Sequence, residues 1–252
     1  MLGDGNVRYL IKFSYDGTNY NGYQRQKGLN TIQECLEDAL TSINNKKKVI
    51  VHATGRTDKL VHALAQYAHF DLDVKITENK LKRAMNSNLP LDIHVIEARE
   101  VPDNFHARYN VKSKEYKYLL NMGEYDPINR NYIYQYNHIL NIDKMKEAIN
   151  YFKGTHDFRS FVTENKVKEN CVRTITKATI KEKNNIVTFT FKGNGFLRYQ
   201  VRNMVGILIK VGEEKIKPSD VLRILNKKNR DKEGVTAKAE GLYLVDVKFK
   251  KS

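Results

Sequence analysis

Residues 52–63 read "HATGRTDKLVHA", and the reading of this stretch decides the fold. The apolar run "VIVHAT" leads in and "LAQYAHFDL" leads out, so two strands are expected to flank a tight Gly-Arg-Thr-Asp loop. One carboxylate, Asp58, follows Arg56 on that loop. An aspartate in this setting can stabilise its own turn through its side chain, pair with an arginine, or serve as a nucleophile. Spacing alone favours the turn.

Working outward, residues 7–14, "VRYLIKFS", place Val7, Tyr9, Ile11 and Phe13 on one face of a strand. The Gly- and Asn-rich loop "YDGTNYNGYQRQKGLN" follows and carries Arg25. Thr31 and Glu34 then predict a capping box opening a helix, with Ile32, Cys35, Leu36, Ala39, Leu40 and Ile43 on its apolar side. A second helix is expected near 78–87, before Pro90, and "DIHVIEAREV" closes the first half as a strand. The second half loosely repeats this plan. "KEYKYLLN" is a strand alternating Tyr116, Tyr118 and Leu120, and "NIDKMKEAINYFKG" is a helix stopped by Gly154. The strands "RTITKATIKE" and "NIVTFTFKG" come next, then the helix "YQVRNMVGILIKV", a short helix from Ser219 and the strand "LYLVDVKF". Arg198 and Arg202, four apart, are read as sharing one helix face. Two strand–helix–strand–strand–helix–strand halves predict an α+β fold. Each half would be an antiparallel sheet with helices on one face. The boundary falls between 103 and 112, dividing the chain into 1–105 and 106–252, with a cleft between the open sheet faces.

With 44 Lys and Arg against 29 Asp and Glu, the 252-residue chain has a net charge of +15. That sign draws polyanions by counterion release, nucleic acid foremost. Cys35 and Cys171 lie far apart and form no metal-ligand pair, which fits a reduced intracellular protein. "MLGDGNVRYL" lacks a long apolar run and no stretch approaches bilayer-spanning length, so a cytoplasmic protein without membrane partners is expected.

Rival chemistries fare poorly. His52, Asp58, His62 and His69 share a hairpin-sized region but lack zinc-ligand spacing, so no metal is expected. "GNGFLR" puts Arg198 where a dinucleotide fingerprint needs its third glycine, and there is no phosphate-binding Gly-Lys-Ser/Thr loop. His156 and Asp157 in "GTHDF" have no partner serine. Tyr116 reads as a core tyrosine or as a plate for stacking a base.

"GRTDKLVHALAQ" resembles the signature loop of the bacterial tRNA pseudouridine synthase A family, whose usual form is Gly-Arg-Thr-Asp-Ala-Gly-Val-His-Ala. The similarity runs along nearly the whole chain, through "YDGTNYNGYQRQ", "TIQECLEDAL", "FHARYNVKSKEYKY", "GTHDFRSF", "GFLRYQVRNMVG" and "EGLYLVDV" in family order. The resemblance implies a pseudouridine synthase fold, a homodimer with a basic cleft, and isomerisation of uridine in the anticodon stem-loop of tRNA, about positions 38–40, without any cofactor. It places the catalytic aspartate at Asp58. Arg56 is matched to the arginine that helps displace the nucleotide, Tyr116 to the tyrosine packed on the uracil, and Arg202 to the arginine paired with the aspartate. Arg25, Lys59, Arg108 and Arg198 are further candidates for holding RNA. Whether Asp58 acts as nucleophile or base stays open.

Two departures stand out. Lys59-Leu60 replaces Ala-Gly, and leucine does not cheaply adopt the positive φ that glycine allows. An ordinary backbone path or a rearranged loop is therefore expected. Tyr23 stands where the family often carries tryptophan. The departures keep two other functions in play: the same reaction on another structured RNA such as ribosomal RNA, and an RNA-binding protein without catalysis.

Overall fold

A computed structural model describes residues 6–162, 170–227 and 235–250. These group into two compact units, one within Met1–Lys112 and Leu244–Ser252, the other within Ser113–Tyr243. The fold is mixed α+β. Among the described residues no helix is long and apolar enough to cross a membrane.

The first unit runs β1 (Val7–Tyr15), α1 (Ile32–Ile43), β2 (His52–Ala53), β3 (His62–Leu72), α2 (Glu78–Asn88) and β4 (Ile93–Glu100). From Leu244 onward, β10 (Leu242–Phe249) also belongs to it. Its strands lie in the order β4-β1-β3-β10, with β2 paired to β3. β1 is antiparallel to both neighbours. Its alternation works as expected: Tyr9, Ile11 and Phe13 are fully buried. α1 buries Ile32, Leu36, Ala39 and Leu40, and α2 buries Leu81 and Met85. Leu10 points to the other side of the sheet and packs with Val101, Ala107, Phe105 and Phe249.

Two expectations fail here for local reasons. The capping box does not form, because Thr31 makes no side-chain cap. Instead the Gly22 and Tyr23 carbonyls accept from the Ile32 and Gln33 amides at 3.3 and 2.9 Å, satisfying two of the orphan donors at the start of α1. The strand expected from "VIVHAT" is only His52–Ala53, although Val49 and Val51 are buried.

Segment 102–110 is tied down from two sides. Arg8 forks onto Asp71 at 2.7 and 2.8 Å and donates to the Asp103 and Phe105 carbonyls. This bond holds the Asp71 carboxyl below its ordinary range. His69, buried on β3, accepts from the Ala107 amide at 3.1 Å through Nδ1. Its ring stacks 5.0 Å from His52 and meets His106 edge-on at 4.5 Å. Desolvation, reinforced by the neighbouring His106 and His52, pushes the His69 pKa down to about 4.

The second unit contains β5 (Val111–Asn121) from Ser113 onward, β6 (Tyr134–Gln135), α3 (Ile142–Ile149), β7 (Gly154–Asp157), β8 (Val172–Lys183), β9 (Ile186–Gly193), α4 (Gln200–Gly212) and α5 (Asp220–Lys227). Its sheet runs β5-β9-β8-β7, with antiparallel pairing between these neighbours and β6 parallel to β5. Asn184 and Asn185 turn the β8–β9 hairpin with φ of 54° and 61°, the left-handed pair that a type I′ turn demands. Tyr118, Leu120, Ala178, Phe189 and Phe191 are buried on one side of the sheet. α3 packs against β8 and α4, contributing Met145, Ala148 and Ile149 to the core. Gly154, expected to stop the third helix, has φ +103° but opens β7, because α3 ends at Ile149 and tightens into a 3-10 turn over Asn150–Phe152.

The loop between β2 and β3 answers the question posed by Lys59-Leu60. Val61 donates back to the Asp58 carbonyl at 3.2 Å, closing a four-residue turn. Leu60, its third residue, has φ +66°. Leucine thus occupies the left-handed position the family fills with glycine, at a cost of about 1–2 kcal/mol. Leu60→Gly should raise stability by about 0.5–1 kcal/mol, strain relief exceeding the added chain entropy of glycine. Leu60→Val, β-branched, should lower it, and urea midpoints of the three proteins give the order. A second prediction concerns pH. His69 binds its proton more weakly folded than unfolded, so stability is complete above pH 6.5 and is lost as pH falls from there through about 4. The loss should reach about 3 kcal/mol, and His69→Asn, whose Oδ1 can still accept from Ala107, should flatten that slope in urea titrations across the window.

Candidate active site

Four backbone and side-chain contacts immobilise the residues around Asp58. Thr54 donates its amide to the Tyr67 carbonyl at 2.9 Å and its hydroxyl to the Gln66 amide oxygen. Gln66, fully buried, returns its Nε2 to the Gly55 carbonyl at 3.0 Å. Thr57 is buried with its hydroxyl 2.7 Å from that of Tyr15. Burial pushes the Tyr15 phenol up to about 12, so it remains a neutral hydroxyl at ordinary pH. Between the anchored Thr57 and the strained Leu60, Asp58 is half-buried, while Arg56 and Lys59 project outward as exposed side chains.

The early loop that follows β1 packs directly on this backbone. Tyr23 donates to the Thr57 carbonyl at 3.1 Å. Gly22 has φ +94°, and a Cβ there would stand 3.0 Å from the Thr57 carbonyl oxygen and 3.2 Å from the Lys59 nitrogen. Only glycine satisfies both demands. The Gly17 amide donates to His62 Nδ1 at 3.1 Å, and Asp16 closes a turn through Thr18 at 2.9 and 2.6 Å. The ring of Tyr23 is buried, and its hydroxyl has no hydrogen-bond partner among the described residues.

Two other expected RNA ligands lie in this first unit. Arg25 reaches three carboxylates of α1: Glu37 at 3.0 Å, Glu34 at 3.3 Å and Asp38 at 3.7 Å. Arg108 is exposed, with its amide held 3.1 Å from His106 Nδ1. The histidines regroup relative to the sequence reading, since His106 joins His52 and His69 while His62 turns to Gly17.

Tyr116, Arg198 and Arg202 lie in the second unit. Tyr116 is buried on β5, opposite Phe191, with its ring edge-on to Phe196 at 5.2 Å. Arg198 and Arg202 do not share a helix, because α4 begins at Gln200. They nevertheless meet at one ring: their guanidinium carbons lie 4.9 and 5.3 Å from the centre of Tyr199. Tyr199 itself holds φ +62° at the helix cap, and a tyrosine held left-handed marks over-determined surroundings. Arg202 is fixed further by donating Nε to the Ala237 carbonyl at 2.8 Å, while its own carbonyl accepts from the Ala237 amide at 3.1 Å. Gly206, one turn on, permits this approach, since a Cβ there would overlap the Val235 carbonyl. Sequence reading passed over Gln66, Tyr199 and Gly206. Alternation in "LAQYAHF" placed Gln66 in a strand, and a buried glutamine there was the available signal.

Residues 11–110 and 148–250 match the family described as tRNA pseudouridine synthase. Two proteins called tRNA pseudouridine synthase A, from Streptococcus pyogenes serotype M49 (strain NZ131) and serotype M1, are each 46% identical over 244 residues, covering 96% of this chain and 98% of theirs. A solved Cbf5-Nop10-Gar1 complex contains a chain with 12% identity and a TM-score of 0.33, covering 80% of this chain and 54% of that one, a likeness too loose to argue from. By the extent of the family match and the identity sustained along the chain, this protein belongs to the tRNA pseudouridine synthase family.

Proposed function

We propose that this chain isomerises uridine to pseudouridine in the anticodon stem-loop of tRNA, about positions 38–40, acting as a cytoplasmic homodimer. The observation that carries the reading is the turn at Asp58. Leu60 takes a positive φ of the kind glycine allows, which supports a loop path open to the family's glycine-bearing sequence as well as to this one.

In the reaction the C1′–N1 bond of uridine breaks, the uracil turns, and a C1′–C5 bond forms. The proton on C5 leaves and N1 gains one. Atoms balance within the substrate and no electrons are exchanged. Under this reading Asp58 is the carboxylate that attacks or removes a proton, and it must be ionised to do either. Arg202 supplies the positive charge that favours that ionised form against desolvation. Arg56 takes the place of the displaced nucleotide, because a uridine within a stem must leave its stack at a cost of about a few kcal/mol. Tyr116 packs against the extruded uracil. Lys59, Arg108 and Arg198 face phosphates, and Arg25 does so only by giving up carboxylates of α1.

Asp58→Asn and Asp58→Ala should each lower turnover by roughly 10³-fold or more while RNA binding stays within a factor of a few. Release of tritium from C5-labelled uridine in a tRNA transcript measures the first, and filter binding the second. Turnover retained in both variants removes Asp58 from the chemistry. Mapping pseudouridine in total RNA with and without the protein tests the substrate, and modification confined to ribosomal RNA would overturn the tRNA assignment. Tyr116→Phe should hold KM near its original value and lower kcat if the hydroxyl takes part; an unchanged kcat restricts Tyr116 to packing.

A further inference from the structure

One face of the second unit's sheet is charged in a way the proposed chemistry does not use. Tyr116, Tyr118, Phe189 and Phe191 point to the buried side. The alternate residues of β5, β9 and β8 line a shallow hollow of about 480 Å³ on the other side. Their register can be read row by row. Lys117 lies opposite Thr190, which lies opposite Thr179; Thr188 lies opposite Lys181, and Ile186 opposite Lys183. Lys177 faces Lys192, another lysine, with Glu115 beyond it. Rows two residues apart are separated by about 6.7 Å and strands by about 4.8 Å, so every row brings a cation within reach of the next.

This is more than a solvated surface. Like charges placed across a sheet destabilise it, whereas some lysines elsewhere are matched by acids, as Lys144 is by Glu214, Lys215 by Glu213 and Lys47 by Asp73. Lys117, Lys177, Lys181 and Lys183 are exposed, and among the described residues none has a carboxylate within ion-pair distance. Glu115 is the one acid lining the hollow. Four lysines held on a rigid sheet, with threonine hydroxyls between them, present donors and little competing acceptor charge. The face also carries no aromatic ring. Single-stranded nucleic acid is held on stacking platforms, whereas duplex RNA is held by phosphate and 2′-hydroxyl contacts that read shape.

We propose that this lysine face binds the phosphate backbone of a double-stranded stem of the substrate RNA; the proposal rests on the reading of the protein as a tRNA enzyme. The test replaces Lys117, Lys177, Lys181 and Lys183 together with glutamine in the full chain, with a fourfold arginine variant as control. Filter binding of a transcribed tRNA across a KCl series reads the number of phosphates neutralised. The glutamine variant should bind more weakly at physiological salt. Its log–log salt slope should be shallower by about 2–4 units, near 0.9 for each phosphate that is no longer neutralised. KM should rise with kcat unchanged, and the arginine variant should restore both. Urea midpoints and light scattering on the same samples establish folding and oligomeric state. Unchanged affinity and slope overturn the proposal. So does a shift in oligomeric state with the salt slope intact, which would assign the face to a second copy of the chain. A wild-type protein that makes no pseudouridine yet binds tRNA with this lysine dependence would sink the enzymatic reading and leave the lysine face standing.

Discussion

The first unit depends on a backbone stitch between two loops distant in sequence. Gly22 and Tyr23 turn their carbonyls to the first amides of α1, and Tyr23 turns its amide to the Thr57 carbonyl. One short segment therefore satisfies the helix start and fixes the residue before Asp58. Each bond is worth about 0.5–1.5 kcal/mol net, but leaving these groups buried without partners would cost more, which makes the arrangement hard to loosen piecemeal. It also leaves no room for a side chain at Gly22. A carboxylate intended to meet a reacting nucleoside needs such a rigid base, because supporting contacts rather than the side chain itself set its position.

Strain accompanies the rigidity. Leu60 and Tyr199, one in each unit, are non-glycine residues held at positive φ within three residues of a proposed catalytic side chain. Such backbone persists only where neighbours over-determine it. Around Leu60 the neighbours are the Val61–Asp58 bond and the early loop. Around Tyr199 they are the Asn203 amide on its carbonyl and the two guanidinium groups near its ring. The strained backbone and the fixed side chains are two aspects of one construction.

Much of this was legible in the chain. Alternation in "VRYLIKFS" located β1 and the face that buries Tyr9, Ile11 and Phe13, because Arg8 and Lys12 mark the opposite side, though Leu10 on that side is buried as well. Helical periodicity located α1, α2 and α3 to within a few residues. The capping box misled because Thr31–Glu34 is a local pattern, whereas the cap comes from residues of the preceding loop through tertiary packing. Leu60 misled in the opposite sense: propensity argued against a left-handed path, and tertiary contacts imposed it. The partnership of Arg198 and Arg202 was visible as a spacing of four, but its physical basis, a shared tyrosine outside the regular helix, was not.

Charge separates in the same way, by what the fold does with each residue. The excess of +15 suggests one broad attraction for polyanions, yet its members are not equivalent. Arg8 bridges Asp71 and two carbonyls, and Arg25 bridges three acids of α1. A planar fork suits this work, since it saturates several acceptors in fixed directions. A guanidinium so engaged must give up protein partners before it neutralises a phosphate. The sheet-face lysines carry compact charges on long stems with no acid in ion-pair range among the described residues, so counterions they gather can be released to RNA at little structural cost. What governs RNA affinity is therefore which cations the fold leaves uncommitted, rather than the formal charge, and those are unevenly placed along the chain.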